Sequence, residues 1–86
     1  MKRTTIKSLA IEAEELELSD YMNVLVRDIV NGNYSQLHNR LGSMSKKDLL
    51  QVIDRITWDL YNNEGYNGEY LMKLHKYAIK AMEDKI

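Results

Sequence analysis

The sequence GEYLMKLHKYAIKAMEDKI, residues 68–86, has the periodicity of a helix but carries apolar residues on two opposite sides. At about 100° per residue, Leu74, Ala78 and Ala81 form one stripe, together with two tyrosines. A second stripe lies nearly opposite and repeats with the spacing of a coiled-coil seam. It consists of Met72, His75, Ile79, Met82 and Ile86. A helix that is apolar on two sides needs cover on both, so one packing partner does not account for this segment.

The rest of the chain also predicts helices. The 86 residues contain no proline and only four glycines, and no segment shows a convincing strand alternation. We therefore predict an all-α fold over residues 1–86, a single domain built as a small bundle of four to five helices. A chain of this size has a thin stability margin, so self-association is a common supplement to its core.

Cap and break signals set the expected helix boundaries. A first helix is predicted over Thr5–Leu18, and the side chains of Ser19 and Asp20 would cap a second helix over Tyr21–Asn31. The alternative is that both segments form one long helix. Gly32 is a natural C-terminal stop. The remaining helices are predicted over Tyr34–Leu41, Lys46–Tyr61 and Gly68–Ile86. The last two are expected to pack as an antiparallel hairpin, since a short loop joins them.

Composition excludes several functional classes. The chain has 12 basic and 13 acidic residues and no cysteine. The overall charge balance argues against binding driven by nucleic-acid phosphates, because such proteins usually carry a basic excess, and it leaves open only a local basic patch. The lack of cysteine rules out disulfides and thiolate metal sites. No signal-peptide pattern and no long apolar run occur, so we expect no membrane contact and a cytoplasmic location.

No motif predicts catalysis, a metal or a cofactor. The two histidines, His38 and His75, fall on different predicted helices and lack the spacing of metal ligands. The polar loop DLYNNEGYNGEY would place Leu60 and Leu71 where a calcium loop needs carboxylates. We therefore expect a protein that is not an enzyme.

One segment allows an alternative interpretation as a DNA-binding regulator. Residues 24–42, VLVRDIVNGNYSQLHNRLG, follow the helix-turn-helix order. The second helix would expose Gln36, Asn39 and Arg40 to bases, and Arg27 would contact phosphate. Asp28, however, stands where such motifs usually place a small residue. We favour an ordinary helical corner with a polar outer side.

The preferred hypothesis is a protein-interaction module. Trp58 is predicted on the polar side of its helix, opposite Ile53, Ile56 and Leu60. Together with the second stripe it is either buried by other segments or left open to bind another chain. Exposed Trp, Tyr and Met are enriched in the cores of interfaces. The predicted partner-binding residues are Trp58, Tyr61, Tyr66, Met72, His75, Ile79 and Met82.

On this hypothesis the protein is a regulator or inhibitor that binds the surface of a protein partner. The chain would also be able to use the same surface to form a homodimer. Small helical chains with balanced charge are frequent among phage and mobile-element proteins that bind host machinery. Lys73, Lys76 and Lys80 recur between the two apolar stripes of the closing helix. Such a row is usually a solvated side, and here it would also flank the interface.

Overall fold

A computed structural model of the chain describes residues 5–7, 15–63 and 65–86. Four helices account for most of the described residues, and a pair of short strands precedes them. The elements in chain order are β1 (Thr5–Lys7), β2 (Glu15–Glu17), α1 (Leu18–Val30), α2 (Tyr34–Gly42), α3 (Lys46–Asn62) and α4 (Gly68–Asp84). The last three helices begin and end within two residues of the predicted boundaries.

The N-terminal segment differs from the prediction. Strands β1 and β2 pair antiparallel, with Ile6 opposite Leu16, so the expected helix over Thr5–Leu18 is wrong, as is one long helix through α1. Residues 8–14 of that segment lie outside the described residues. Two local features oppose a helix here. Thr5 and Ile6 are β-branched, and the glutamates that follow repel one another at helical spacing.

The start of α1 also differs from the expected cap. Glu17 is the N-cap residue and its side chain makes no capping hydrogen bond. Ser19 and Asp20 lie inside the first turn instead, and Asp20 there places a negative charge near the positive end of the helix dipole. Helix α1 begins at Leu18, earlier than the predicted Tyr21, because no residue separates it from the end of β2 at Glu17.

The other helix ends follow the local signals. Gly32 has φ of 71°, and the Asn33 and Gly32 amides donate to the carbonyls of Asp28 and Ile29 at 2.9 and 3.1 Å. This is the Schellman pattern that glycine permits. At the start of α3, the Asp48 amide donates to Ser45 Oγ at 3.1 Å. Each cap satisfies backbone groups that the helix itself leaves unpaired.

The core lies where all four helices meet. Leu25, Leu37, Val52 and Leu74, one from each helix, are fully buried. Helices α1 and α4 each contact the other three helices, and the contacts of α4 are the more extensive, so α4 holds the central position. Its first apolar stripe supplies that contact, as the buried positions of α4 are Leu71, Leu74, Ala78 and Ala81.

Candidate interaction surface

The second apolar stripe of α4 remains at the surface. Met72 is 66% exposed and Ile79 is 37% exposed, whereas Leu74 and Ala78 on the first stripe are completely buried. The central position of α4 therefore does not enclose both of its apolar sides. Contacts with α1, α2 and α3 leave the side that carries Met72 uncovered.

Helix α3 adds apolar residues beside this stripe. Leu50 is 52% and Tyr61 is 87% exposed. With Thr57 they lie within about 40° of one another around α3, since their spacings are close to whole helical turns. Sequence reasoning missed Leu50. A helical projection would have found it, because Leu50 lies about 100° from the buried Leu49 on the side of Tyr61.

A groove joins the two helices. It is lined by Thr57 and Leu60 of α3 and by Met72 and His75 of α4, and has a volume of about 200 Å³. The groove places the two exposed sides next to each other. We call this surface the α3–α4 face, defined as Leu50, Thr57, Tyr61, Met72, His75 and Ile79.

Trp58 is exposed but lies at the edge of the α3–α4 face. Its side chain is 59% exposed. Around α3 it lies about 60° from Tyr61 and about 100° from Thr57. Trp58 thus lies on the polar side of α3, and of the two outcomes that the sequence left open, buried or exposed, the structure shows exposure. The groove itself is built without Trp58.

Two other predicted partner-binding residues turn toward the interior. Met82 is partly buried and packs against the core. Tyr66 also packs against the core, and its hydroxyl donates a hydrogen bond to Asn23 Oδ1 on α1. Tyr66 therefore lies on the α1 side of α3, away from Tyr61. Sequence proximity in the loop does not bring the two tyrosines to one surface.

A polar cluster surrounds Tyr66. Arg55 Nε donates to both carboxylate oxygens of the buried Asp59, at 3.1 and 3.3 Å. Burial raises the pKa of the Tyr66 phenol; the Arg55 charge acts in the opposite direction, and the Asp59 and Asp20 charges add to the rise. Arg55 and Asp59 both belong to α3, so the hydrogen bond from Tyr66 to Asn23 is the contact of this cluster that ties the loop to α1.

One expectation of the DNA-binding alternative is not met at the α1–α2 corner. Arg27, Gln36 and Asn39 are exposed as that interpretation requires. Arg40 is not, because it is buried and its Nε donates to Asp28 Oδ2 at 2.8 Å. The prediction that Arg40 is exposed to bases is therefore wrong. Asp28, which was out of place in a DNA-binding motif, is the buried partner of this arginine.

Other kinds of site find little support in the described part of the chain. No three His, Cys, Asp or Glu side chains there come close enough to hold a metal ion. Among the described helices, none combines the length and apolar character that crossing a bilayer requires. No family model, curated protein or solved structure matches this chain.

Proposed function

We propose that this protein is a non-enzymatic interaction module that regulates or inhibits a protein partner by binding it through the α3–α4 face. The observation that carries the proposal is the exposure of Tyr61 and Met72 on neighbouring helices. Soluble domains rarely gather several large exposed apolar side chains on one surface unless another molecule covers them. Tyr and Met are also types that interface cores favour.

The groove favours one kind of partner. Two helices that pack side by side, as an antiparallel hairpin within a four-helix bundle, offer a linear trough to an amphipathic helix. Met72 suits this role because its unbranched thioether adapts to the partner's shape. We therefore propose a partner helix as the occupant. Trp58 at the edge would contact the flank of that helix. A second copy of the chain is the competing occupant.

The test compares the wild type with the double variant Met72→Glu/Ile79→Glu. Affinity capture from a native lysate, quantified by mass spectrometry, should lose its specific partner with this variant, because glutamate in an interface core would be desolvated without a counter-charge. Val30→Glu is the matched control, since Val30 is 54% exposed on α1. It should capture the same partner as the wild type.

Sedimentation at micromolar concentration separates the two occupants. A wild-type dimer that becomes a folded monomer in the double variant would identify a second copy as the occupant and overturn the partner helix. An unchanged set of captured proteins would contradict the role of the face altogether. A double variant that is unfolded by circular dichroism would show that Met72 and Ile79 belong to the core.

The DNA-binding alternative takes second place. With Arg40 bound to Asp28, it would rest on Arg27, Gln36 and Asn39. That leaves a single cation to contact phosphates at the corner, whereas sequence-specific DNA binding normally draws on several such contacts.

A further inference from the structure

A second recess lies on the other side of α4, where α4 meets α2. It has a volume of about 370 Å³ and is lined by Tyr34 of α2 and by four residues of α4, Lys73, Lys76, Tyr77 and Lys80. This volume is within the range of pockets that hold small ligands. Three cations and two phenol rings form the whole lining, with no carboxylate among them.

The two tyrosines form a stacked pair. The ring centroids of Tyr34 and Tyr77 are 5.6 Å apart and the ring planes differ by 15°. Tyr77 is half-buried, while Tyr34 is 38% exposed. The pair therefore presents flat aromatic surface to the recess. A planar ring of a ligand can extend this stack, because offset parallel arrangements of aromatic rings are favourable.

The three lysines form a row of like charge along α4. None forms an ion pair with a residue in the described ranges 5–7, 15–63 and 65–86. Lys76 lies three residues from Lys73 and four from Lys80, and like charges at these spacings destabilise a helix. Acidic residues stand at helical spacing only at the two ends of this row, where Glu69 precedes Lys73 by four residues and Glu83 follows Lys80 by three. A bound anion would relieve the repulsion along this row.

We propose that Tyr34, Lys73, Lys76, Tyr77 and Lys80 form a binding site for nucleotides, in which the lysines contact phosphate and a base stacks on the Tyr34 ring. Basic side chains beside exposed aromatic rings are the combination by which proteins hold single-stranded nucleic acid without reading its sequence. The inference is independent of the proposed function, since it concerns a different recess of α4.

Two ligands offer this combination of base and phosphate: a free nucleotide, and a short stretch of single-stranded nucleic acid. Lys73 and Lys80 lie seven residues apart, or about 10 Å at the helical rise. Stacked nucleotides advance about 3.4 Å each, so the row is as long as about three nucleotide steps. A free nucleotide would use part of the row, whereas a strand would use all three lysines.

The experiment titrates the ¹⁵N-labelled protein at low salt with three probes. These are thymidine monophosphate, a short oligothymidylate, and a glutamate peptide of the same net charge as the oligothymidylate. We expect shifts of the backbone amides around Tyr34 and Tyr77 with the oligothymidylate. If three phosphates are contacted, the logarithm of affinity should fall with the logarithm of salt with a slope of about −2. Saturation by the monophosphate alone would identify a free nucleotide as the source.

Variants separate the charge from the stacking. Lys73→Gln/Lys80→Gln should reduce the salt slope to about −0.7, because one lysine remains. Lys46→Gln/Lys47→Gln removes the same charge from exposed positions of α3 and should leave binding unchanged. Tyr34→Leu keeps an apolar contact with Tyr77 but removes the flat ring, so affinity for the nucleotide should fall at least about fivefold.

Three results would overturn the site. Equal binding of the glutamate peptide would show that the lysines attract any polyanion. Equal loss in the two lysine variants would show that net charge alone is responsible. An absence of amide shifts with every probe at millimolar concentration would leave the row as a solvated helix side.

Discussion

The α1–α2 corner and the α3–α4 pair differ in the kind of group that they place in an unfavourable environment. The corner buries charge: Asp28 and Arg40 leave water but bind each other at 2.8 Å. The α3–α4 pair exposes apolar surface: Tyr61 and Met72 face solvent although α4 is the central helix. The buried charges find their complement within the chain, whereas the described residues leave the exposed apolar groups uncovered. This difference indicates that a partner would contact α3 and α4.

The comparison also separates stability from function. Removing a group from the corner should damage the fold, because its partner stays buried. Removing the side chain of Tyr61 or Met72 from the α3–α4 face should leave the fold intact, because both side chains are largely exposed to water. The following predictions test this contrast in order of decreasing effect on stability.

The largest effect is expected for Asp28→Ala. This substitution removes the carboxylate to which Arg40 Nε donates, and breaking a buried ion pair costs about 3–5 kcal/mol. We expect the free energy of unfolding, measured by urea denaturation with circular dichroism, to fall by about that amount. Asp54→Ala is the matched control, as Asp54 is exposed on α3. It should change stability by less than about 0.5 kcal/mol. Similar losses of unfolding free energy for both variants would show that the buried pair is no more important to stability than an exposed aspartate.

The two stripes of α4 should differ almost as strongly. Leu74→Ala creates a cavity in the core and should lower the free energy of unfolding by about 3 kcal/mol. Met72→Ala, two residues earlier on the same helix, should change it by less than about 0.5 kcal/mol. Thermal or urea unfolding of both variants measures the difference. A loss of more than about 2 kcal/mol for Met72→Ala would place the second stripe in the core.

Local signals explain why much of the fold could be predicted from sequence. The end of α1 and the start of α3 depend on Gly32 and Ser45, whose conformational preferences act within one turn. The N-terminal segment has no such marker. Its apolar spacing suited a helix, but β1 and β2 pair residues eight to twelve positions apart, and helical periodicity does not report that contact.

The candidate surface could be predicted from the sequence only in part, for a related reason. Helical periodicity gives the direction of a side chain, so the placement of Trp58 and Met72 opposite the main apolar stripes followed from it, whereas the choice between burial and exposure did not. Periodicity does not give the neighbour that a side chain meets. The pairing of Arg40 with Asp28 and the contact of Tyr66 with Asn23 both join residues of different elements. They depend on how the elements pack, which only the three-dimensional structure shows.

The smallest effect concerns the polar cluster on the α1 side of α3, where Tyr66 binds Asn23. The folded state raises the pKa of Tyr66, mainly by burial, so the folded protein holds the phenol proton more tightly than the unfolded chain. The corresponding stability is present below the ordinary tyrosine pKa of about 10 and is lost as the pH rises through the raised value. Unfolding free energy should therefore fall more steeply above about pH 10 in the wild type than in Tyr66→Phe.

Urea denaturation of both proteins at a series of alkaline pH values measures this difference in slope. Tyr61→Phe is the matched control because it removes a phenol that is 87% exposed, and it should keep the wild-type slope. Identical slopes for Tyr66→Phe and the wild type would show that the phenol is equally solvated in both states. Tyr66 would then be free to join Tyr61 at the surface, and the boundary between the polar cluster and the α3–α4 face would have to be redrawn.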